Sequence, residues 1–250
     1  MIKTNPGAAS APLLTWCLQR VSTFIVYRFS MAHVIAIDGP AGAGKSTIAR
    51  RLAGRLSYIY IDTGAMYRAV ALWALRENIA LNDAYRLEQL ARAADIGLLP
   101  QNRVCLNGED VTVAIRAADV SAAASKIAAI GAVRSAMVAK QRQMAGAANI
   151  VMEGRDIGTV VFPDARVKIF LDADPVERAR RRAGDQPDVA PARIAAQIAE
   201  RDDRDRRRAD SPLIQAPDAV YLNSTGLTED EVEEEILRIV RARISNGKGA

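Results

Sequence analysis

The chain has 250 residues, half of them hydrophobic and a quarter charged, with a formal net charge of +5, which suits one good core with subdomains inserted into it. Its two cysteines, Cys17 and Cys105, lie far apart and its single histidine, His33, reads as a structural residue at the edge of a strand, so a disulfide framework, a zinc site and histidine-based catalysis are all disfavoured. A basic balance suits nucleic acid, a membrane surface or anionic small molecules. Here the arginines gather at Arg178 to Arg182 and Arg201 to Arg208 without interleaved aromatics, which fits a polyphosphate better than a single-stranded nucleic acid.

Residues 1–30 stand apart. No acidic residue precedes Asp38, and the apolar stretch from Pro12 to Tyr27 is broken by Arg20, so it does not reach the length of a membrane span. A transit peptide shares this composition, but with Met31 three residues before the first strand the segment reads as a disordered or mis-assigned N-terminal extension.

The first strand is Val34 to Ile37, followed by Gly39-Pro40-Ala41-Gly42-Ala43-Gly44-Lys45-Ser46 and a helix over Ser46 to Leu56. A strand, a G-x-x-x-x-G-K-S loop and a helix together form the context of a phosphate-binding loop. Backbone N–H groups and the helix N-terminus would cradle an oligophosphate, Lys45 would reach the β and γ phosphates, and Ser46 would ligate Mg²⁺. A second strand, Tyr58 to Ile61, leads into Asp62-Thr63-Gly64-Ala65-Met66-Tyr67-Arg68, placing polar groups at a strand's carboxyl end, where open α/β sheets bind ligands. The same residues suit a helix N-cap at Asp62 or Thr63 with Arg68 as a solvated charge, and the pattern leaves both readings open.

Helices are predicted at Ala65 to Asn78 and Ala84 to Ala94. Leu98 to Ile115 then reads as short strands turning at Asn107-Gly108, inside an inserted α+β subdomain of about residues 95–135. Helices at Ala118 to Ala129 and Val133 to Ala145 precede the third strand, Ile150 to Met152. Glu153 ends that strand and is the candidate to orient Mg²⁺ and its waters; Arg155 and Asp156, bracketed by glycines, read as functional rather than as a mere ion pair. Strands at Val167 to Leu171 and Val220 to Leu222 complete five continuous apolar runs, the mark of a buried parallel sheet. The remaining helices are Pro175 to Ala183, Pro191 to Ala209 and Glu229 to Ile244, with capping boxes at Asp174 to Glu177 and Thr228 to Glu231. A short lid spans about residues 178–200 and hinges near Gly184 to Asp188. On the helix from Pro191, Arg201, Asp205 and Arg208 share one face, with Arg204 and Arg207 on a neighbouring stripe. The fold class is therefore α/β: a P-loop, doubly wound five-stranded parallel sheet with helices on both faces, in a single domain over 31–245 with a tail at 246–250.

Four ordered motifs carry a family likeness: residues 37–47, 61–68, 153–163 and 200–206, joined by Ser121 to Ser125 and Val133-Arg134. Together they resemble bacterial-type cytidylate kinases, within the nucleoside monophosphate kinases, over about residues 31–245. The resemblance implies transfer of the γ-phosphoryl group of Mg-ATP to CMP or dCMP by a cytoplasmic monomer with no nucleic-acid or membrane partner. It assigns Gly39 to Thr47, Arg178 and Arg182 to ATP; Thr63 and Arg68 to the monophosphate; and Ser125, Arg134 and Asp156 to the cytosine. It makes Arg155, Arg201 and Arg208 phosphate clamps, acting with Lys45, and sets Asp205 near the ribose. The lid is shorter than the family's pattern, Thr63 stands where serine is also common, and residues 1–30 have no counterpart. A kinase for UMP, AMP or dTMP, a nucleotide-dependent switch and a nucleic-acid-binding module are the competing readings.

Overall fold

The computed structural model describes residues 33–184 and 189–245; the expectations for residues 1–30 and the tail 246–250 lie outside the described residues, as does most of the predicted hinge. In chain order the elements are β1 (Val34–Asp38), α1 (Lys45–Leu56), β2 (Ile59–Asp62), α2 (Thr63–Arg76), α3 (Ala84–Ala93), β3 (Ile96–Leu99), β4 (Arg103–Leu106) and β5 (Glu109–Asp110). They continue with α4 (Ala118–Ile127), α5 (Gly131–Ala145), β6 (Ile150–Gly154), a π-helical turn at Ile157–Val161, β7 (Val167–Asp172), α6 (Pro175–Gly184), α7 (Pro191–Arg207), β8 (Val220–Asn223) and α8 (Glu229–Ser245).

The main sheet has the order β2-β6-β1-β7-β8, every pair parallel. Its central strands β6, β1 and β7 are mostly apolar because both faces are covered, whereas the edge strands β2 and β8 leave Ile59 and Tyr221 half exposed. Successive side chains alternate between two cores: Ile35 and Ile37 of β1 and Val151 of β6 face α1 and α8, whereas Ala36, Ile150 and Met152 face the side of α2 to α5. The register sets Glu153 between Ile37 of β1 and Asp62 of β2, at the carboxyl end of the sheet beside the phosphate loop.

The insert is a three-stranded antiparallel sheet, β3-β4-β5, packed against α2. Asn107 and Gly108 both take positive φ, 51° and 87°, as the two-residue turn between β4 and β5 requires. Helices α4 and α5 complete this side, where Val120, Ile127, Val133 and Met137 are buried.

The two capping boxes behave differently. Thr228 and Glu231 exchange backbone and side-chain hydrogen bonds reciprocally at the start of α8. At α6 only half the box forms: Asp174 accepts from the Val176 N–H at 2.9 Å, while Glu177 turns instead to Arg180 and Arg181. Two charge-assisted contacts at i+3 and i+4 outcompete one backbone N–H, and that N–H, on Asp174, is taken by the Thr225 hydroxyl.

Candidate active site

Two glycines shape the phosphate loop. A Cβ on Gly39, at φ +148°, would lie 2.0 Å from the Leu171 carbonyl oxygen, and one on Gly42, at φ +78°, would lie 2.9 Å from the Arg178 carbonyl oxygen. Only glycine lets the loop pass this close to β7 and α6. The loop hands over to α1 at Gly44, and Lys45 donates to the Pro40 carbonyl at 2.6 Å, folding its ammonium back across the loop. Burial, followed by the charge of Arg155, pushes the Lys45 ammonium down to about 7.

At the neighbouring strand end the Ser46 hydroxyl donates to Glu153 Oε1 at 2.5 Å, with Tyr60 donating to the same oxygen at 3.3 Å. Burial and then the nearby Asp62 raise the Glu153 carboxyl above its ordinary range. Asp62 resolves the ambiguity of its segment on the structural side: it caps α2 through the Ala65 N–H and holds Arg68 at 3.2 Å. Arg68 nonetheless lines the cavity. The Thr63 hydroxyl, also at the cavity wall, donates to the Glu153 carbonyl at 2.7 Å.

One cavity of about 1000 Å³ joins the phosphate loop to the residues predicted at the far end, Ser125, Arg134 and Asp156, with Arg155, Arg182, Arg201, Asp205 and Arg208 between them. Arg134 pairs with Asp156, donates to the Ala128 carbonyl at 3.1 Å, and stacks over the Tyr67 ring at 5.8 Å. Arg155 donates to Asp205 at 2.9 Å, and Arg208 lies 3.7 Å from the other Asp205 oxygen. Burial opposes ionisation of Asp205, but Arg155, Arg201 and Arg208 outweigh it and hold this carboxyl below its usual range.

Arg201 differs from all of these. It has no hydrogen-bond or ion-pair partner among the described residues, and its buried Nε is unsatisfied. Burial, then repulsion from Arg155, lowers its guanidinium to about 10. Asp205 attracts it without a direct contact, which leaves the guanidinium free to take an incoming anion.

Arg178 sits elsewhere than the ATP-facing position expected of it. It is buried behind the loop, outside the cavity wall, where it donates to the Ala173 and Ala41 carbonyls at 3.0 Å each and pairs with Asp202. Asp202 in turn accepts the Ala41 N–H at 3.2 Å, so the pair grips both backbone groups of one loop residue. Gly39 and Pro40 likewise shape the loop from outside the cavity lining, whereas Ala41 to Thr47 line it.

Several residues escaped the sequence reading. Asp38, buried at the end of β1, accepts the Ile157 and Gly158 N–H groups at 2.8 and 2.7 Å and so anchors the π-helical turn that follows Asp156. Arg142 clamps the turn's other end through the Val160 and Val161 carbonyls. Arg181 donates to the Ser224 hydroxyl and carbonyl, and Arg204 to Ser125; both line the cavity. For Asp38 a signal was present, an acid embedded at the mouth of a glycine loop; for Arg204 helical periodicity pointed to a different stripe.

Burial raises the Asp38 carboxyl from 3.8 to about 6 against the lowering effect of its two N–H donors. Between those pH values the folded chain therefore holds more protons than the unfolded one, and this group's contribution to stability falls as pH rises. Urea unfolding from pH 4 to 6.5 should show that slope in the wild type and lose it in Asp38→Asn. Equal slopes in both proteins would place the carboxyl's titration outside this window.

The described residues hold no cluster of three or more His, Cys, Asp or Glu side chains able to bind a metal by itself. Comparison with known proteins gives a consistent match. The family model described as cytidylate kinase matches residues 35–242. The cytidylate kinase of Solibacter usitatus is 62% identical over 221 residues, covering 86% of this chain and 95% of that protein. Those of Desulforamulus reducens and Symbiobacterium thermophilum are 51% and 49% identical, covering 81% and 83% of this chain and 94% and 96% of theirs.

Proposed function

The chain belongs to the cytidylate kinase family, and from that premise we propose that it transfers the γ-phosphoryl group of ATP to CMP or dCMP through the residues that line the cavity. The observation that carries the assignment of roles is Arg201, a half-buried guanidinium with no hydrogen-bond or ion-pair partner among the described residues, lying beside Arg155 in the cavity that joins the phosphate loop to Arg134 and Asp156.

Phosphoryl transfer asks the protein for position and charge more than for covalent chemistry. Lys45 and the loop N–H groups hold the donor phosphates. Arg155, Arg201 and Arg208 converge from β6 and α7 on the space between donor and acceptor, where they neutralise the charge spread over the moving group. Arg68 and Thr63 serve the acceptor phosphate, Asp205 orients Arg155 and Arg208 and lies toward the ribose, and Arg182 belongs to the donor side. Arg178 acts through Ala41 and is a positioning residue.

The hydroxyl of Ser46 and the carboxylate of Glu153 are hard oxygen donors that fit Mg²⁺, which accepts few protein ligands and keeps phosphate and water for the rest. When bound, the ion supplies charge neutralisation at the β and γ phosphates.

At the far end, the donors and acceptors left unused match one edge of cytosine. Ser125 has an O–H without an acceptor among the described residues, Arg134 brings its guanidinium to the cavity wall, and Asp156 Oδ1 meets only Arg208 among those residues, at 3.9 Å. Two donors and an acceptor complement the O2 and N3 acceptors and the N4 amine of cytosine; uracil reverses the polarity at N3 and at position 4. Asp156→Asn keeps an oxygen for Arg134 and presents N–H to the base. It should erode the preference for CMP over UMP by ~1–3 kcal/mol, about 5- to 150-fold. Unchanged discrimination in a protein of normal melting temperature would refute the role of Asp156.

The reaction itself is tested by coupled ADP release with Mg-ATP and, in parallel, CMP, dCMP, UMP, AMP and dTMP. Turnover confined to CMP and dCMP is the expected result. Turnover with a different acceptor would discard the base-reading set, and none at all would discard the acceptor site.

A further inference from the structure

We infer that Arg204 is a specificity-determining positioning residue: it fills the acceptor side of the Ser125 hydroxyl and so commits that hydroxyl to donate toward the base. The inference rests on the reading of Ser125 as a base-facing group given above.

A serine hydroxyl carries one proton and two lone pairs and rotates to suit its surroundings. In a helix the usual outlet for the proton is a carbonyl one turn back, and Ser135 of α5 does this, donating to the Gly131 carbonyl at 3.1 Å. Ser125 of α4 does not. Its proton has no acceptor among the described residues, and its oxygen accepts from Arg204 Nη1 at 2.7 Å. Ser125 is buried, so bulk water does not dilute this polarity.

Arg204 arrives from α7, 79 residues away in sequence, and its other terminal nitrogen is held by Glu200 one turn earlier on the same helix. The carboxylate thus aims the guanidinium across the gap between α7 and α4, and both Arg204 and Ser125 border the cavity. A full positive charge against the Ser125 oxygen makes a second incoming N–H costly and strengthens the hydroxyl as a donor. Unoriented, the hydroxyl could donate to cytosine or accept from the N3–H of uracil with similar ease. With Arg204 in place the second option is disfavoured. The discrimination is therefore written by a residue that need not touch the base.

The test is a double-mutant cycle on kcat/KM for CMP and UMP, with KM for ATP as the control, using Arg204→Met, Ser125→Ala and the double variant. Arg204→Met should lower the CMP:UMP ratio by about 5- to 50-fold, within the range of one polar base contact, mostly through KM for CMP. In the Ser125→Ala background it should change that ratio by less than about twofold, because residues acting through one contact are not additive. Arg204→Lys, which retains a charged donor, should recover part of the ratio. An equal loss on CMP and UMP, or the same loss of ratio with and without Ser125, would overturn the inference and leave Arg204 a general anion attractor. If Ser125→Ala alone leaves the ratio unchanged, the base-facing reading of Ser125 fails and the inference falls with it. Arg204 is partly exposed and lies outside the buried cores, so the melting temperature of Arg204→Met should stay near the wild type.

Discussion

Lys45→Met is expected to lower kcat by at least ~10³-fold, beyond the usual cost of one electrostatic donor to a transition state, while CMP affinity stays within about twofold. Methionine keeps the length of the aliphatic stem and removes only the charge. In the free protein that charge is poorly accommodated: it is buried, close to Arg155, and hydrogen-bonded to a single neutral carbonyl, at Pro40. Its interactions become favourable when phosphate oxygens arrive, and most favourable as charge moves onto the leaving oxygen. Steady-state kinetics with saturating ATP and calorimetric titration of CMP measure the two quantities separately. Turnover within tenfold of the wild type would remove Lys45 from the catalytic machinery; a comparable loss of CMP affinity would mean that the substitution had deformed the cavity.

The second large effect is at Arg201. Arg201→Ala should reduce kcat/KM for both substrates by roughly 10²–10³-fold, the worth of a charge stabilising a transferring phosphoryl group, and should leave the melting temperature unchanged or higher. The sign of the stability effect is the discriminating part. A structural arginine in a satisfied network costs stability when it is cut, because its buried partners are left unpaired. Arg201 makes no hydrogen bond or ion pair among the described residues; its Nε is buried and unsatisfied, and the repulsion from Arg155 exceeds the attraction to Asp205. Deleting it relieves the folded chain of a charge whose desolvation and repulsion outweigh its attraction to Asp205, the trade between stability and activity seen where a site is built for an absent ligand. Thermal unfolding without nucleotide decides the matter: a fall of several degrees together with intact turnover would make Arg201 a scaffold residue.

Much of the architecture was legible from local pattern. The five apolar runs became the five strands of one parallel sheet, and each predicted helix formed with its ends shifted by a few residues. The turn at Asn107-Gly108 and the capping box at Thr228 were readable because a few neighbouring residues fix their backbone. The box at Asp174 to Glu177 was misjudged for a physical reason. Arg180 and Arg181 compete for the same carboxylate, and a pattern of four residues does not include them.

The site divides along the same line. The phosphate loop with Lys45 and Ser46, the Glu153 strand end, and the α7 face with Arg201, Asp205 and Arg208 are each set by spacing within one element, and the sequence by itself determined them. It also carried the family likeness, in four ordered motifs, and the family match bears that likeness out. Only the tertiary structure decided which partner each charge meets across elements. Arg178 went behind the loop to Ala41 and Asp202 because α6 packs with its buried face toward the loop. Arg204 went to Ser125 because α7 lies across from α4, and Asp38 reached Ile157 and Gly158 because β1 lies beside β6 in the sheet. Helical and strand periodicity fixes which side chains share a face, a property of a few consecutive residues. The contact a charge finally makes depends on the packing of segments from 24 to 161 residues apart, and desolvation acts on whichever partners that packing brings together.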